Sequence, residues 1–265
     1  MDKATFNSFR MIAYEKGGIA LGDNKEALVN TRVSKRMREL RIEDPRVYLD
    51  LLMRDASGNE LVKFLDCITT NLTSFFREAH HFDLLRDHAR ECLQRGQKRF
   101  RFWSAACSSG EEPYSMAITL AEALDGAGAD VRILATDLST KVLDRARAGI
   151  YASEQVDKVP KGMRNRLFEP TPDGRLQVRQ GLKSVVAFKR LNLATPPYPM
   201  SGPLDVIFCR NVLIYFDNLI RARLLADMYR LLKPGGLLLV GHAEGLTGMV
   251  SDFKSVKPTV YRKPS

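Results

Sequence analysis

Through residues 1–95 the apolar positions recur at spacings of three and four, the period of amphipathic helices, with breaks at Gly17-Gly18, Gly22, Pro45 and Gly58. This part of the chain predicts helices. One segment is lopsided. Between Val29 and Arg41, the residues Val29, Val33, Met37 and Leu40 fall on one narrow helical face, and Arg32, Lys35, Arg36, Arg38 and Arg41 spread over the other, with Glu39 the only acid. A solvated helix back and a docking surface both fit such a face, and five cations against one anion favour docking.

After Gln94-Arg95-Gly96-Gln97 short apolar runs alternate with helical patterns. Phe100–Ala105 precedes Tyr114–Leu124, Val131–Thr136 precedes Lys141–Arg147, and Val206–Cys209 precedes Ile220–Leu232 and then Leu237–Val240. Strands alternating with helices predict parallel βαβ units and a doubly wound, Rossmann-like α/β sheet. From about 152 to 189 the alternation lapses at Pro160, Pro170, Pro172 and Gly174. There Leu176–Arg179 and Val185–Arg190 resemble a hairpin, so a small antiparallel β-subdomain is expected as an insertion. The expected division is an all-α domain over 1–85 and an α/β domain over 86–265.

Composition narrows the class. With 45% hydrophobic and 27% charged residues the chain can build a core, which excludes a disordered tail, a collagen-like chain or a disulfide-stapled miniprotein. No apolar run approaches the ~20 residues of a membrane helix, and MDKATFNSF has no basic-then-apolar leader, so neither membrane insertion nor export is expected. Four cysteines and four histidines show neither CxxC nor metal-ligand spacing. Free thiols without a leader suggest the cytoplasm. The net charge is +10, nearly all of it beyond residue 95, and favours polyanionic or acidic partners as well as simple solubility.

Ligands of doubly wound sheets bind at the carboxyl ends of the strands. The first strand leads into Ala106-Cys107-Ser108-Ser109-Gly110-Glu111-Glu112-Pro113, a small-residue turn opening a helix. A single Gly is not GxGxxG, and Glu111 and Glu112 would repel a dinucleotide phosphate. The turn therefore argues against NAD and for a positively charged ligand. Asp137, 27 positions past Gly110, stands at the tip of the second strand, the usual place for an acid that holds ribose hydroxyls; a helix N-cap there would suit Ser139 as well or better. Asn192, in Leu191-Asn192-Leu193, offers an amide to an adenine edge, and Arg210-Asn211 break an apolar run at another strand end. A ribose acid without a phosphate cradle, together with a carboxylate at a helix start, points to S-adenosylmethionine.

Five segments now carry a resemblance: Asn71-Leu72-Thr73-Ser74-Phe75-Phe76-Arg77-Glu78, Trp103 through Ser115, Ala135-Thr136-Asp137, Phe208 through Phe216, and Gly241-His242-Ala243-Glu244. Together they resemble the CheR family of chemotaxis receptor methyltransferases from about Phe6 to Tyr261. The resemblance implies transfer of a methyl group from S-adenosylmethionine to glutamate side chains on the cytoplasmic helices of chemoreceptors, giving methyl esters and S-adenosylhomocysteine. It implies cofactor contacts at Asn71, Thr73, Arg77, Glu111, Asp137, Asn192, Leu193, Arg210 and Asn211, with Glu111 facing the cofactor's amino group. Arg77 and Tyr215 would line the methyl-transfer site, although a buried core tyrosine also explains Tyr215. Arg32, Lys35, Arg36, Arg38 and Arg41 would dock the acidic receptor helices. A monomer is expected, with no metal and no nucleic acid. The region 152–189 corresponds to the family's β-subdomain, which in some members grips a receptor peptide with a longer, glycine-richer loop than Pro170–Arg175, so no such tether is expected here.

Two rival classes remain open on sequence. A nucleic-acid methyltransferase would use the basic half as a phosphate footprint, but the chain lacks an aromatic-rich basic strip. A non-catalytic S-adenosylmethionine sensor would share every cofactor residue, and only turnover separates it from the enzyme.

Overall fold

The computed structural model describes residues 1–246 and 251–265. The helical part comprises α1 (Lys3–Gly17), α2 (Glu26–Glu39), α3 (Pro45–Arg54) and α4 (Asn59–Ile68). Their three-and-four spacing places Phe6, Phe9, Val29, Val33, Tyr48, Phe64 and Leu65 in one core, with the Phe9 ring 5.8 Å from Tyr48 and 5.5 Å from Phe64. Asp2 caps α1 by accepting the Thr5 N–H, and Asp44 caps α3 ahead of Pro45 at its first turn.

Within this core the basic helix α2 is tied down more than its pattern predicts. Arg36 donates from Nε to Glu60 Oε1 (2.8 Å) and from Nη2 to Glu60 Oε2 (2.6 Å), while the Tyr48 hydroxyl donates to Glu60 at 3.0 Å. Arg36 and Glu60 side chains are only 13% and 10% exposed. Glu60→Ala would leave a half-buried guanidinium and a buried hydroxyl without their acceptor. The expected loss is about 3 kcal/mol of stability by urea denaturation, and a loss below about 1 kcal/mol would remove this network from the account.

Next come α5 (His80–Gln94), β1 (Arg99–Ala105), α6 (Glu111–Ala123), β2 (Asp130–Asp137), α7 (Thr140–Ala148), β3 (Ile150–Tyr151), α8 (Lys161–Leu167), β4 (Phe168–Pro170) and β5 (Leu176–Val178). The chain continues through α9 (Gln180–Lys183), β6 (Val186–Arg190), β7 (Leu204–Cys209), α10 (Asn218–Leu231), β8 (Leu232–Val240), β9 (Lys254–Lys257) and β10 (Val260–Arg262). Among the described residues the main sheet has the order β6-β2-β1-β7-β8-β10-β9. Strands β6, β2, β1, β7 and β8 run parallel, whereas β10 is antiparallel to both neighbours. The order reverses at β1, between β2 and β7, which makes the carboxyl ends of these strands the switch point.

Alternation along the strands builds two layers. Phe100 and Phe102 of β1, Val206 and Phe208 of β7, and Leu237 and Leu239 of β8 face α5 and α6. Trp103, Ala105, Ile207, Cys209, Leu238 and Val240 face α10. The fold class is the α/β sheet expected, preceded by the all-α domain, with two differences in detail. Phe82, Leu85, Ala89 and Cys92 of α5, which straddles the expected boundary at 85, pack into the sheet's core rather than the helical one. The expected hairpin of 176–179 with 185–190 does not form. Strand β5 pairs antiparallel with β3 and β4 in a separate three-stranded sheet, and β6 joins the main sheet parallel to β2, in register from Ile133↔Val186 to Asp137↔Arg190. Val186 and Phe188 bury against Leu143 of α7 there, which the short turn chemistry before them does not reveal.

The helical domain docks on the strand ends through tight contacts. Helix α1 closes at Gly18 (φ 69°), where a Cβ would lie 2.3 Å from that of Ala194. Ala20 N–H donates to the Tyr215 carbonyl at 2.7 Å, and the Tyr14 hydroxyl donates to Asp217 at 2.6 Å.

Candidate cofactor and methyl-transfer site

A cavity of about 990 Å³, including its open mouth, lies at the switch point beneath the helical domain. Its walls come from the ends of α1 and α4, the 69–77 linker, and the turns after β1, β2, β6 and β7. Backbone geometry around it is unusual for L-residues. Phe76, Glu78, Ala106, Ser108 and Asn211 all adopt positive φ, between 48° and 72°. Such conformations persist only where surrounding bonds over-determine them, and they concentrate at functional sites.

Those bonds can be traced. The N–H groups of Ala106 and Cys107 both donate to the Thr136 carbonyl at 2.8 Å, which folds the turn after β1 back over β2. Ser108 N–H donates to Asp137 Oδ2 at 2.9 Å, and Ser108 Oγ donates to the Asn71 carbonyl at 2.9 Å, joining turn to linker. Gly110 closes the turn at φ 99°, where a Cβ would come within 2.9 Å of Ala146 and 2.8 Å of the Tyr151 hydroxyl. The linker is anchored by the buried Phe75 ring, edge-on to Tyr151 at 4.9 Å and Phe168 at 5.8 Å, and by Phe76 N–H donating to Ser115 Oγ.

The two acids of the helix start part company. Glu111 is buried, accepts from the Ser109 hydroxyl at 2.7 Å, and does not line the cavity. Glu112 does line it, accepting from Ser104 Oγ at 2.7 Å on its far side. Adjacent residues on a helix point about 100° apart, so the two carboxylates leave α6 in different directions, Glu112 onto the cavity and Glu111 onto the Ser109 hydroxyl. Asp137 lines the cavity, with Oδ1 accepting the Ser139 N–H at 3.0 Å; Ser139, in turn, caps α7. Burial raises the pKa of both Glu112 and Asp137, opposed for Glu112 by Arg210 and for Asp137 by backbone N–H donors.

Arg210, at the end of β7, is the buried hub of the site, with its side chain 1% exposed. Its guanidinium reaches Glu112 at 3.1 Å and Glu78 at 3.2 Å, donates to the Arg77 carbonyl, and lies 5.6–5.8 Å over the Phe208 and Phe82 rings. Glu78 also lies 3.4 Å from buried His81, whose pKa burial pushes down to about 3, so the imidazole is neutral. Sequence reasoning singled out neither Glu78 nor Glu244. Glu244 accepts the N–H of Asn211 (2.6 Å), Gly241 (2.7 Å) and Ile214 (3.2 Å), stapling the loop that carries Asn211 and Tyr215.

The other expected residues are distributed as follows. Asn71, Thr73, Arg77, Leu193, Arg210, Asn211 and Tyr215 all line the cavity. Arg77 spends one N–H on the Leu72 carbonyl at 2.9 Å. The Tyr215 hydroxyl lies near the Thr70 N–H at 3.3 Å and its carbonyl at 3.4 Å; the residue lines the cavity while its ring packs against the helical core. Asn192 also borders the cavity, where Nδ2 donates to the Lys16 carbonyl at 3.0 Å and Oδ1 accepts the Ala194 N–H at 3.0 Å, which leaves one amide N–H and one oxygen lone pair over. Of the α2 cations, Arg32 grips the end of α4 and Thr70 Oγ1, Arg36 pairs with Glu60, and Lys35, Arg38 and Arg41 remain exposed.

Two partly buried acids, Glu112 and Asp137, a backbone that a ligand can approach closely and an apolar far wall suit a nucleoside that carries positive charge. No group of side chains suited to holding a metal occurs among the described residues, and no helix there is long and apolar enough to cross a membrane. Comparisons agree with the geometry. Residues 4–69 match the all-alpha domain of CheR methyltransferase, and residues 71–262 match its SAM binding domain. The chemotaxis protein methyltransferase of Escherichia coli (strain K12) is 42% identical over 264 residues, covering 98% of this chain and 91% of that protein. Chemotaxis protein methyltransferase 2 of Pseudomonas aeruginosa is 44% identical over 259 residues, 97% of this chain and 91% of its own length. The chemotaxis protein methyltransferase of Borreliella burgdorferi is 36% identical over 259 residues, 95% and 91% of the two chains. The chain belongs to the CheR family of S-adenosylmethionine-binding methyltransferases.

Proposed function

We propose that this protein methylates glutamate carboxylates on the cytoplasmic helices of chemoreceptors, forming glutamate methyl esters in chemotaxis. The observation that carries the reading is the cavity itself. It presents two partly buried carboxylates to a cationic nucleoside and opens beside Arg77 and Tyr215, which provide an anion partner and a hydroxyl at its wall. The similarity to chemotaxis protein methyltransferases supports the same acceptor class.

Bound in this cavity, S-adenosylmethionine supplies a sulfonium methyl that an acceptor carboxylate oxygen takes, with the C–S bonding pair leaving on sulfur. This chain's residues bind, orient and exclude water. Asp137 accepts ribose hydroxyls through lone pairs left over from its bonds to Ser108 and Ser139, and Glu112 faces the positive end beside Arg210. Leu193, Val212 and Phe216 supply the apolar wall. No general base is needed, because a glutamate side chain has a reference pKa of about 4.3 and is ionised at neutral pH. Rate then depends on holding carboxylate and methyl in line and dry. Arg77 has guanidinium N–H groups to spare for the incoming carboxylate, and Tyr215 steadies it through its hydroxyl.

Tyr215→Phe removes that hydroxyl and leaves the ring. The expected result is a fall of about tenfold in the single-turnover methylation rate, the worth of one hydrogen bond to a charged group, with cofactor affinity little changed. An unaltered rate would take Tyr215 out of the mechanism.

Receptor docking falls to the exposed cations of α2. Because Arg36 is built into the helical core, the clean variant is the pair Lys35→Glu and Arg38→Glu. It should weaken receptor methylation severalfold, most strongly at low salt, with cofactor affinity unchanged. Identical receptor kinetics at low salt would exclude α2 as the docking face.

The chemistry is tested by mapping the methyl group by mass spectrometry on a purified receptor cytoplasmic fragment after incubation with enzyme and S-adenosylmethionine. Esterified glutamates are expected. Methyl found only on lysine or arginine nitrogen would overturn the proposed reaction.

A further inference from the structure

Glu78 does not line the cofactor cavity, yet its carboxylate is held against a residue that does. Its backbone sits at φ 57°, a conformation that a glutamate keeps only where its surroundings impose it. Arg210 meets two acids with different nitrogens, Nη2 lying 3.2 Å from Glu78 Oε2 and Nη1 3.1 Å from Glu112 Oε2. The guanidinium is buried, and the two carboxylate side chains are only 14% and 13% exposed. Glu78 Oε2 makes no hydrogen bond among the described residues, so its link to Arg210 is one of charge.

A single buried cation is matched by a single carboxylate. The second acid leaves an excess of negative charge out of water, which is costly until another cation completes the set. The neighbours do not supply that cation. His81 Nδ1 lies 3.4 Å from Glu78, but burial, reinforced by Arg210, holds the ring neutral, and its Nε2 meets the Thr259 hydroxyl at 2.8 Å. His242 approaches Glu78 through its backbone N–H, at 3.4 Å. Arg77 lines the cavity and bonds the Leu72 carbonyl, and its remaining N–H groups serve the acceptor carboxylate in the reading above. The missing charge is the one that distinguishes S-adenosylmethionine from S-adenosylhomocysteine. Methyl transfer turns the sulfonium into a neutral thioether and the acceptor carboxylate into a neutral ester.

We infer that Glu78 is a positioning residue acting through Arg210: it shares the Arg210 charge, leaves Glu112 net negative towards the cavity, and so sets the preference for the sulfonium cofactor over the neutral product. The inference rests on the cofactor reading above and extends it to a residue outside the cavity wall. Transfer of the methyl group then restores the excess of negative charge and loosens the hold on the product.

The test is calorimetric titration of the full-length protein with S-adenosylmethionine and with S-adenosylhomocysteine, in the wild type, Glu78→Gln and Glu78→Asp. The readout is the ratio of the two affinities, which a purely structural role would leave alone. In Glu78→Gln, which keeps the size and removes the charge, affinity for S-adenosylmethionine relative to S-adenosylhomocysteine should fall by about fivefold or more, as expected for losing one unit charge near a partly buried site. Glu78→Asp keeps the charge and should hold the ratio within about twofold of the wild type. Equal losses for both ligands in Glu78→Gln, or an unchanged ratio, would overturn the inference. A ratio that moves as far in Glu78→Asp as in Glu78→Gln would overturn it too, since shape and not charge would then be read. Thermal melting checks folding. If Glu78→Gln is too unstable to titrate, Glu78→Asp decides: a retained ratio supports the inference and a shifted one overturns it. Failure of the wild type to bind either ligand would overturn the underlying cofactor reading, a separate result.

Discussion

Arg210→Ala should unfold the site before it affects chemistry. The substitution removes the one cation between Glu78 and Glu112, both of which are mostly buried. It also opens a space beneath the Phe82 and Phe208 rings. Breaking a buried pair by deleting one partner costs about 3–5 kcal/mol, because the remaining charge has neither water nor counter-ion. Here two carboxylates are left, and the loss should reach the upper end of that range by urea denaturation. Glu78→Gln with Glu112→Gln in the same chain should recover a large part of it, since neutral amides need no counter-charge. A single Arg210→Ala variant with near-wild-type stability would mean that water reaches this hub, and the burial argument would fail.

Asp137→Ala should be the most damaging change to cofactor binding that leaves the fold recognisable. Its two oxygens hold the Ser108 and Ser139 N–H groups, so the variant orphans two donors and releases a turn kept at positive φ. The ligand also loses its hydroxyl acceptor. Hydrogen bonds to a charged group contribute about 1.5–3 kcal/mol each, so affinity for S-adenosylmethionine should fall by about a hundredfold or more. Asp137→Asn keeps one acceptor oxygen and should fall less. Because burial raises the Asp137 pKa, affinity in the wild type should also decline as pH drops through that raised value, where the carboxyl takes up a proton and loses an acceptor site. Calorimetry across pH reads both effects; equal affinity in wild type and Asp137→Ala would remove Asp137 from the site.

Much of this arrangement was legible in the chain because it depends on short-range pattern. The alternation of Phe100–Ala105 with Tyr114–Leu124, and of Val131–Thr136 with Lys141–Arg147, fixes strands, helices and the location of their carboxyl-end turns. Asp137 follows directly, and the choice of Ser139 as the α7 cap frees Asp137 for the cavity. What stayed hidden depends on phase or on distant partners. Glu111 and Glu112 are adjacent in sequence, and only the way the Gly110 turn enters α6 decides which of them borders the cavity directly. Asn192 reads as a base-recognition amide, and its second tie, to the Lys16 carbonyl 176 positions away, is invisible until the chain folds. Arg36 reads as a surface cation until Glu60 comes to meet it. Strand β6 was hidden for a similar reason: its partner β2 lies more than 50 residues back along the chain, beyond the reach of hairpin logic.

The central claim is that the cavity directs a methyl group to a carboxylate oxygen of a chemoreceptor. It is tested most directly by incubating the protein with methyl-labelled S-adenosylmethionine and a receptor cytoplasmic fragment, with total RNA as a parallel acceptor. The account predicts label on the receptor alone, released by mild alkali as expected for a methyl ester. Label on RNA, alkali-stable label on the receptor, or tight cofactor binding without any transfer would each contradict it.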